Sequence, residues 1–233
     1  MHSCRTIDIV VGCATSSDNG CQSHTRKLPV LESVLIGRSP FFANVVHRYR
    51  SPSSEPSGKD VSGSKVRPGS VRLPEDNPKV VNNYVLLLHS EEAPTLKKPD
   101  DLEEVDTEEY PRVAARILQT AMCTAVDDLQ TQHSKLYLFC EKMQDVTSKE
   151  IILAAIIKST KTPIKDLQRR ARSGPSIINR LCAVTKTGGR IRRWLSDCAL
   201  CFEHSGWLQD GLGCHPEYLQ DVVRGMWKCF SSK

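Results

Sequence analysis

Residues 28–42 read LPVLESVLIGRSPFF, and the fold turns on how this stretch is read. Apolar side chains fall at Leu28, Leu31, Val34, Leu35, Phe41 and Phe42. The spacing of Leu31, Val34 and Leu35 is the one-face pattern of a buried helix. Gly37 and the Ser39-Pro40 pair end that helix, because the residue before a proline avoids the helical region and Pro40 has no N–H to give. Ser39 suits the cap of a following helix and Pro40 its first position. Phe41, Phe42, Val45 and Val46 give that second helix an apolar face. The stretch predicts a helical hairpin over about residues 28–49, built for packing and partners. It carries no nucleophile–base pair, phosphate loop or metal cluster.

Outward from the hairpin, TIDIVV at Thr6–Val11 alternates and is β-branched, which predicts a strand. Asp8 interrupts it and is solvated on one face or in need of a partner on the other. Residues 16–27 read as a turn and loop, with a second strand only weakly indicated around residues 22–28. On the other side, residues 51–70 (SPSSEPSGKDVSGSKVRPGS) hold almost nothing to bury and are expected to be disordered. A short strand at residues 71–73 leads into PEDNP, where Asp76 or Asn77 can cap a helix starting at Pro78. That helix bears Val80, Val81, Tyr84, Val85, Leu87 and Leu88 on a wide apolar face.

Residues 91–109 form an acidic loop, with nine carboxylates against Lys97 and Lys98. Such a run reads as a solvated linker, with an acidic docking segment as the sharper alternative. Beyond it helices are expected at residues 110–129 and 134–143. Asp145-Val-Thr-Ser then caps a further helix at residues 149–158, with Ile151, Ile152, Ala155 and Ile156 facing in. From about Pro163 four more short helices are expected, punctuated by Gly174-Pro175, Gly188-Gly189 and residues 211–216.

The chain has 233 residues, enough for one or two domains with a real core. A net charge of +5 is too mild to argue for nucleic acid or an anionic membrane by itself. Aromatics at 6% argue against a base-stacking surface. No stretch approaches the roughly 20 apolar residues that span a bilayer. The start, MHSCRTIDIVVG, lacks the cationic lead and apolar run of a signal peptide. The expectation is an intracellular chain, cytoplasmic or nuclear or both, whose ten cysteines are reduced and mostly buried.

The order of these pieces resembles the BTB/POZ fold in its fungal form. Asp8-Ile-Val-Val-Gly is similar to the family's first strand, and residues 35–42, LIGRSPFF, to its L-x-x-x-S-x-x-F hallmark. Residues 71–78, VRLPEDNP, are similar to its L-x-E-D-x-P turn, and residues 135–145, KLYLFCEKMQD, to its LYxLAEKLQD helix. TGGRIRRWLSD at residues 187–197, with His215-Pro-Glu-Tyr-Leu, resembles the tail that many fungal members carry. The resemblance implies an α+β fold, helix-rich with a small sheet, at residues 1–160, followed by an all-α extension at residues 161–233. It implies protein partners, with a substrate adaptor of a cullin-type ubiquitin ligase as one use. The candidate interface is Leu35, Phe41, Phe42 and Tyr137. One departure stands out. Many members carry His-Lys where this chain has Leu31-Glu32. In the dimeric relatives that base lies near the strand Asp, so the pair here would be Asp8 and Glu32. Two carboxylates brought close cost energy unless neutralised, which works against the family's homodimer.

Three kinds of chemistry compete with this reading. Cys198-x-x-Cys201-x-x-His204, followed by Cys214-His215, has a zinc half-site spacing. It lies in a stretch that reads as one helix, where Cys198 and Cys201 share a face with Trp194 and Leu195. They read as buried small hydrophobes, and no metal or other cofactor is expected. The basic run from Lys158 to Arg193 includes a candidate patch of Arg169, Arg170, Arg172, Arg190, Arg192 and Arg193. It supports an alternative, a nucleic-acid-associated or transcriptional regulator, although no recognition motif accompanies it. Arg192 and Arg193 also match the tail pattern, where a structural role would clamp a helix carbonyl or Asp197. No catalytic residue is expected, since no local nucleophile context such as G-x-S-x-G is present.

Overall fold

The computed structural model describes residues 5–12, 25–50, 69–96, 111–161, 174–202 and 213–231. Three strands and eight helices are found among them, an α+β protein rich in helix. In chain order they are β1 (Thr6–Val11), β2 (Arg26–Leu31), α1 (Glu32–Arg38), α2 (Pro40–Arg50), β3 (Ser70–Leu73), α3 (Pro78–Ser90), α4 (Pro111–Lys142), α5 (Val146–Lys161), α6 (Pro175–Val184), α7 (Arg190–Phe202) and α8 (Pro216–Ser231). The chain divides into two compact units. The first is Met1–Ala93 with Lys135–Ile152, and the second is Pro94–Ser134 with Leu153–Lys233. The expected break near residue 160 is not where the units divide. Each takes part of α4 and part of α5.

In the first unit β1 is the central strand, antiparallel to β2 and parallel to β3. The period-two alternation sends Ile7, Ile9 and Val11 into the core. The register puts Ile9 opposite Leu28 on one side and Val71 on the other, both buried. Asp8 is on the opposite face. The parallel pairing of β1 with β3 needs a crossover, and the α1–α2 hairpin lies within it.

Two expectations are corrected. Residues 28–31 are not the start of a helix. Leu28 and Val30 are buried at strand spacing in β2, Leu31 is the N-cap, and α1 begins at Glu32. A four-residue apolar run fits both periods, and pairing with β1 decides it. The helices expected at residues 110–129 and 134–143 are one helix, α4. The polar run Gln130-Thr131-Gln132-His133-Ser134 does not break it: Gln130, His133 and Ser134 are themselves buried.

Other local signals were read correctly. Ser39 Oγ accepts from Phe42 N–H at 3.3 Å, so Ser39 caps α2 ahead of Pro40. Of the two candidates before α3, Asn77 is the cap, its Oδ1 accepting from Lys79 N–H at 2.9 Å. Val81, Tyr84, Leu87 and Leu88 form the buried face of α3. The aromatic centre of the unit is Phe42, Tyr84 and Phe139. The Tyr84 ring lies 6.5 Å from Phe42 and 5.1 Å from Phe139, the latter edge-on. The second unit has its own core, including Val126, Leu129, Leu181, Ile191, Leu195 and Tyr218. There α7 packs on α8, and Gly225 faces Leu200 so closely that a Cβ would lie 2.6 Å from its Cδ1. The expected disorder at residues 51–70 lies almost wholly outside the described residues, as does most of the acidic loop.

Candidate functional site

Polar chemistry in the first unit converges on one buried carboxylate. α4 ends with Gln144 in the left-handed region, at φ 58°. The N–H of Asp145 reaches Cys140 O and that of Gln144 reaches Glu141 O, a Schellman closure that turns the chain directly into α5. Asp145 is fully buried and caps α5. Its Oδ1 accepts from Ser148 N–H at 2.9 Å, and its Oδ2 accepts from Ser148 Oγ at 2.6 Å and from the Tyr84 hydroxyl at 3.1 Å. Arg38 Nε is 3.8 Å from Oδ1, while its Nη1 donates to Glu91 and its Nη2 to Ser148 Oγ. Ser39 Oγ donates to Met143 O at 2.6 Å. The end of α1, the end of α3 and the α4–α5 corner are thereby tied to one point. Burial, with the Asp145 charge beside it, pushes the Tyr84 phenol far above its ordinary range. The same two causes push up the Cys140 thiol. Neither group is poised to ionise near neutral pH, and the hydrogen bonds to Asp145 fasten the α4–α5 corner to α3.

The second unit has a matching buried cation. Arg192 on α7 is 1% exposed. Its Nε donates to Asp221 Oδ2 at 2.7 Å, and its Nη1 donates to Glu217 Oε2. Nη1 also reaches Thr185 O and Thr187 Oγ1, each at 3.4 Å, while Nη2 stands 2.7 Å from Asp221 Oδ2 without hydrogen-bond geometry. The hydrogen bond from Arg192 holds the Glu217 carboxyl below its usual range. Nearby, Cys182 is pushed up to about 11 by burial. On α4, His133 is buried, and burial pulls its imidazole below the usual value even though Nε2 meets Pro94 O at 2.8 Å. Its Nδ1 and both polar atoms of the Gln130 amide have no hydrogen-bond partner among the described residues.

The residues picked from sequence are spread across these settings. Leu35 and Phe42 are 0% exposed and Tyr137 is 4% exposed. All three build core, so they are not surface contacts. Their apolar character is legible in the sequence, while the direction they face is set by the packed chain. Phe41 is half-buried, its ring 5.2 Å from that of Phe42. Arg192 is withdrawn from the basic patch into its clamp, and its acidic partners are Glu217 and Asp221 in place of Asp197. Arg190 and Arg193 are exposed, and Arg169, Arg170 and Arg172 lie outside the described residues. Glu32 is neutralised by Arg50, whose Nη2 donates to it at 2.6 Å, so it does not stand as a bare second charge to Asp8. Cys201 is exposed and Cys198 half-buried, and His204 lies outside the described residues. Among the described residues no group of three or more His, Cys, Asp or Glu side chains is placed to hold a metal ion. Nor is any described helix long and apolar enough to cross a membrane.

Sequence reasoning missed the exposed side of α8. Val223 is 63% exposed, Met226 44%, Trp227 75% and Phe230 73%. Their spacing at i, i+3, i+4 and i+7 marks one helix face. That spacing was legible, but which face the rest of the unit leaves uncovered was not. No family model matches the chain, and no curated protein matches it either.

Proposed function

We propose that the chain is a non-enzymatic, intracellular protein–protein interaction module of the BTB type with a helical C-terminal extension, used as a substrate adaptor of a cullin-type ubiquitin ligase. The observation that carries this reading is the path of the first unit. A central strand with Asp8 pairs with an antiparallel strand, a helical hairpin turns at Ser39-Pro40, and a parallel strand passes through PEDNP into α3. The corner after KLYLFCEKMQD then follows. That order is the one the family resemblance implies. The roles of the ionisable groups support the non-enzymatic part, since Asp145 and Arg192 are both taken up by structural hydrogen bonds. Within the hairpin, Phe41 is the largest of the described apolar side chains left partly open to a partner, beside Val34, Ile36 and Val45.

The test is affinity purification of the tagged full chain from its own cells with mass spectrometry, beside Phe41→Ala. A cullin recovered with the parent chain, and reduced at least tenfold (~1.4 kcal/mol) with a variant of unchanged melting temperature, is expected. Absence of any cullin, or equal recovery by both chains, would overturn the adaptor reading.

A further inference from the structure

Two of the buried cysteines belong to neighbouring pieces of the second unit. Cys182 lies on the buried face of α6 with Ile177, Ile178 and Leu181. Cys214 lies in the turn that leads into α8, and it too is buried. Asn179 seats that turn on α6. Its Nδ2 donates to Gly213 O at 2.7 Å and its Oδ1 accepts from His215 N–H, so the backbone is held on both sides of Cys214. Cys182 stands three residues beyond Asn179, which makes the two neighbours along one side of the helix. The thiols also act on one another. Burial raises the Cys182 thiol most, Arg192 lowers it, and Asp221, Glu217 and Cys214 raise it further. Disulfide geometry is exacting, and bridging needs backbones that already lie side by side. The Asn179 grip holds them so.

We infer that Cys182 and Cys214 are a latent disulfide pair, reduced at rest, which a small-molecule disulfide oxidises to a bond fastening α6 to the entry of α8. The inference goes beyond the interaction-module reading and does not depend on it. Cys214 is 9% exposed and Cys182 3%, so Cys214 meets the oxidant first. Its thiolate attacks one sulfur of the small disulfide, forms a mixed disulfide and expels the first small thiolate. The Cys182 thiolate then attacks the Cys214 sulfur and expels the second. Each expelled thiolate takes up the proton that a cysteine has lost. The two cysteines give up two electrons, and the small disulfide is reduced to two thiols. The closed loop runs from Cys182 to Cys214 and contains α7 with Arg192, whose partners Glu217 and Asp221 lie just beyond it on α8. The bond therefore adds a covalent tie beside the ionic one that already joins α7 to α8, and it constrains the unfolded chain as well.

The experiment treats the reduced, purified full chain with oxidised glutathione, quenches with acid and maps the bonds by peptide mass spectrometry. Parallel samples carry Cys182→Ala or Cys214→Ala, and thermal melts before oxidation confirm that each is folded. An internal Cys182–Cys214 bond is expected in the parent. Cys182→Ala should instead accumulate one glutathione on Cys214, since the thiol that would expel it is gone. The melting temperature of the oxidised parent should stand about 5 °C or more above that of the reduced chain. The same treatment should leave the melt of Cys182→Ala without that rise. Absence of the internal bond would overturn the inference, since buried thiols then serve only as small hydrophobes. So would oxidation confined to Cys123, Cys198, Cys201 or Cys229, or an internal bond that lowers the melting temperature.

Discussion

Asp145 and Arg192 meet the same physical problem in the two units and solve it differently. A buried charge is costly unless it is hydrogen-bonded or paired. Asp145 is satisfied mainly by neutral donors, the Tyr84 hydroxyl and the Ser148 N–H and Oγ, with Arg38 standing 3.8 Å off. Arg192 is satisfied by two carboxylates, one 10% and one 49% exposed. The first arrangement fixes a corner between helices through directional bonds. The second fastens two helices, α7 and α8, through charge at the edge of a core. In the first, both hydrogen-bonding partners, Tyr84 and Ser148, are interior, and water does little to screen a mistake. In the second, water reaches Glu217 and softens one.

Mutation can break the comparison at either end. Asp145→Ala removes the cap of α5 and strands the Tyr84 hydroxyl and Ser148 donors, so a loss of about 3–5 kcal/mol is expected in denaturant unfolding. Arg192→Ala leaves Asp221 largely buried without its cation, while Glu217 relaxes into solvent. A smaller loss of about 2–3 kcal/mol should appear. If the two losses were equal, or reversed, the contrast between interior and edge would be wrong.

Acid sharpens the difference. Glu217 has a folded pKa below its unfolded value of about 4.3. Its contribution is therefore present above that value and lost as pH falls through the lower folded one. Unfolding curves should steepen in pH dependence below about pH 4.3, and Arg192→Ala should lose that part of the slope. His133, also depressed when folded, contributes above about pH 6.5 and less as pH falls, so a gentler decline begins there in both chains. The smallest effect belongs to Gln144, a non-glycine residue at φ 58° on the surface. Gln144→Gly is expected to raise stability by about 0.5–1 kcal/mol, readable as a small upward shift of the melting temperature.

Much of the first unit was legible because its signals are local. The Ser39-Pro40 pair, the residues before Pro78 and Asp145 all act on a backbone N–H a few residues away, and sequence spacing captures such contacts. β2 was poorly legible because Leu28 and Val30 fit a strand only once β1 is beside them. The split expected through α4 falls at residues 130–133, where a polar run hides that Gln130 and His133 are buried within one continuous helix. The Arg192 clamp needed partners 25 and 29 residues away, a distance at which spacing says nothing. The candidate interface failed for a related reason: an apolar pattern at Leu35 and Phe42 marks a face, and only the packed chain shows that the face is closed. On α8 the same kind of pattern marks a face left open.

The proposal stands on a division of labour, in which buried polar clusters hold this protein together and apolar side chains left open meet its partners. The most direct test compares the proteins recovered with the parent chain, with Asp145→Asn and with Phe41→Ala, each confirmed as folded by its thermal melt. The account predicts that Asp145→Asn retains the partners of the parent while Phe41→Ala loses at least one of them tenfold or more. Partners lost with folded Asp145→Asn and retained by Phe41→Ala would contradict it.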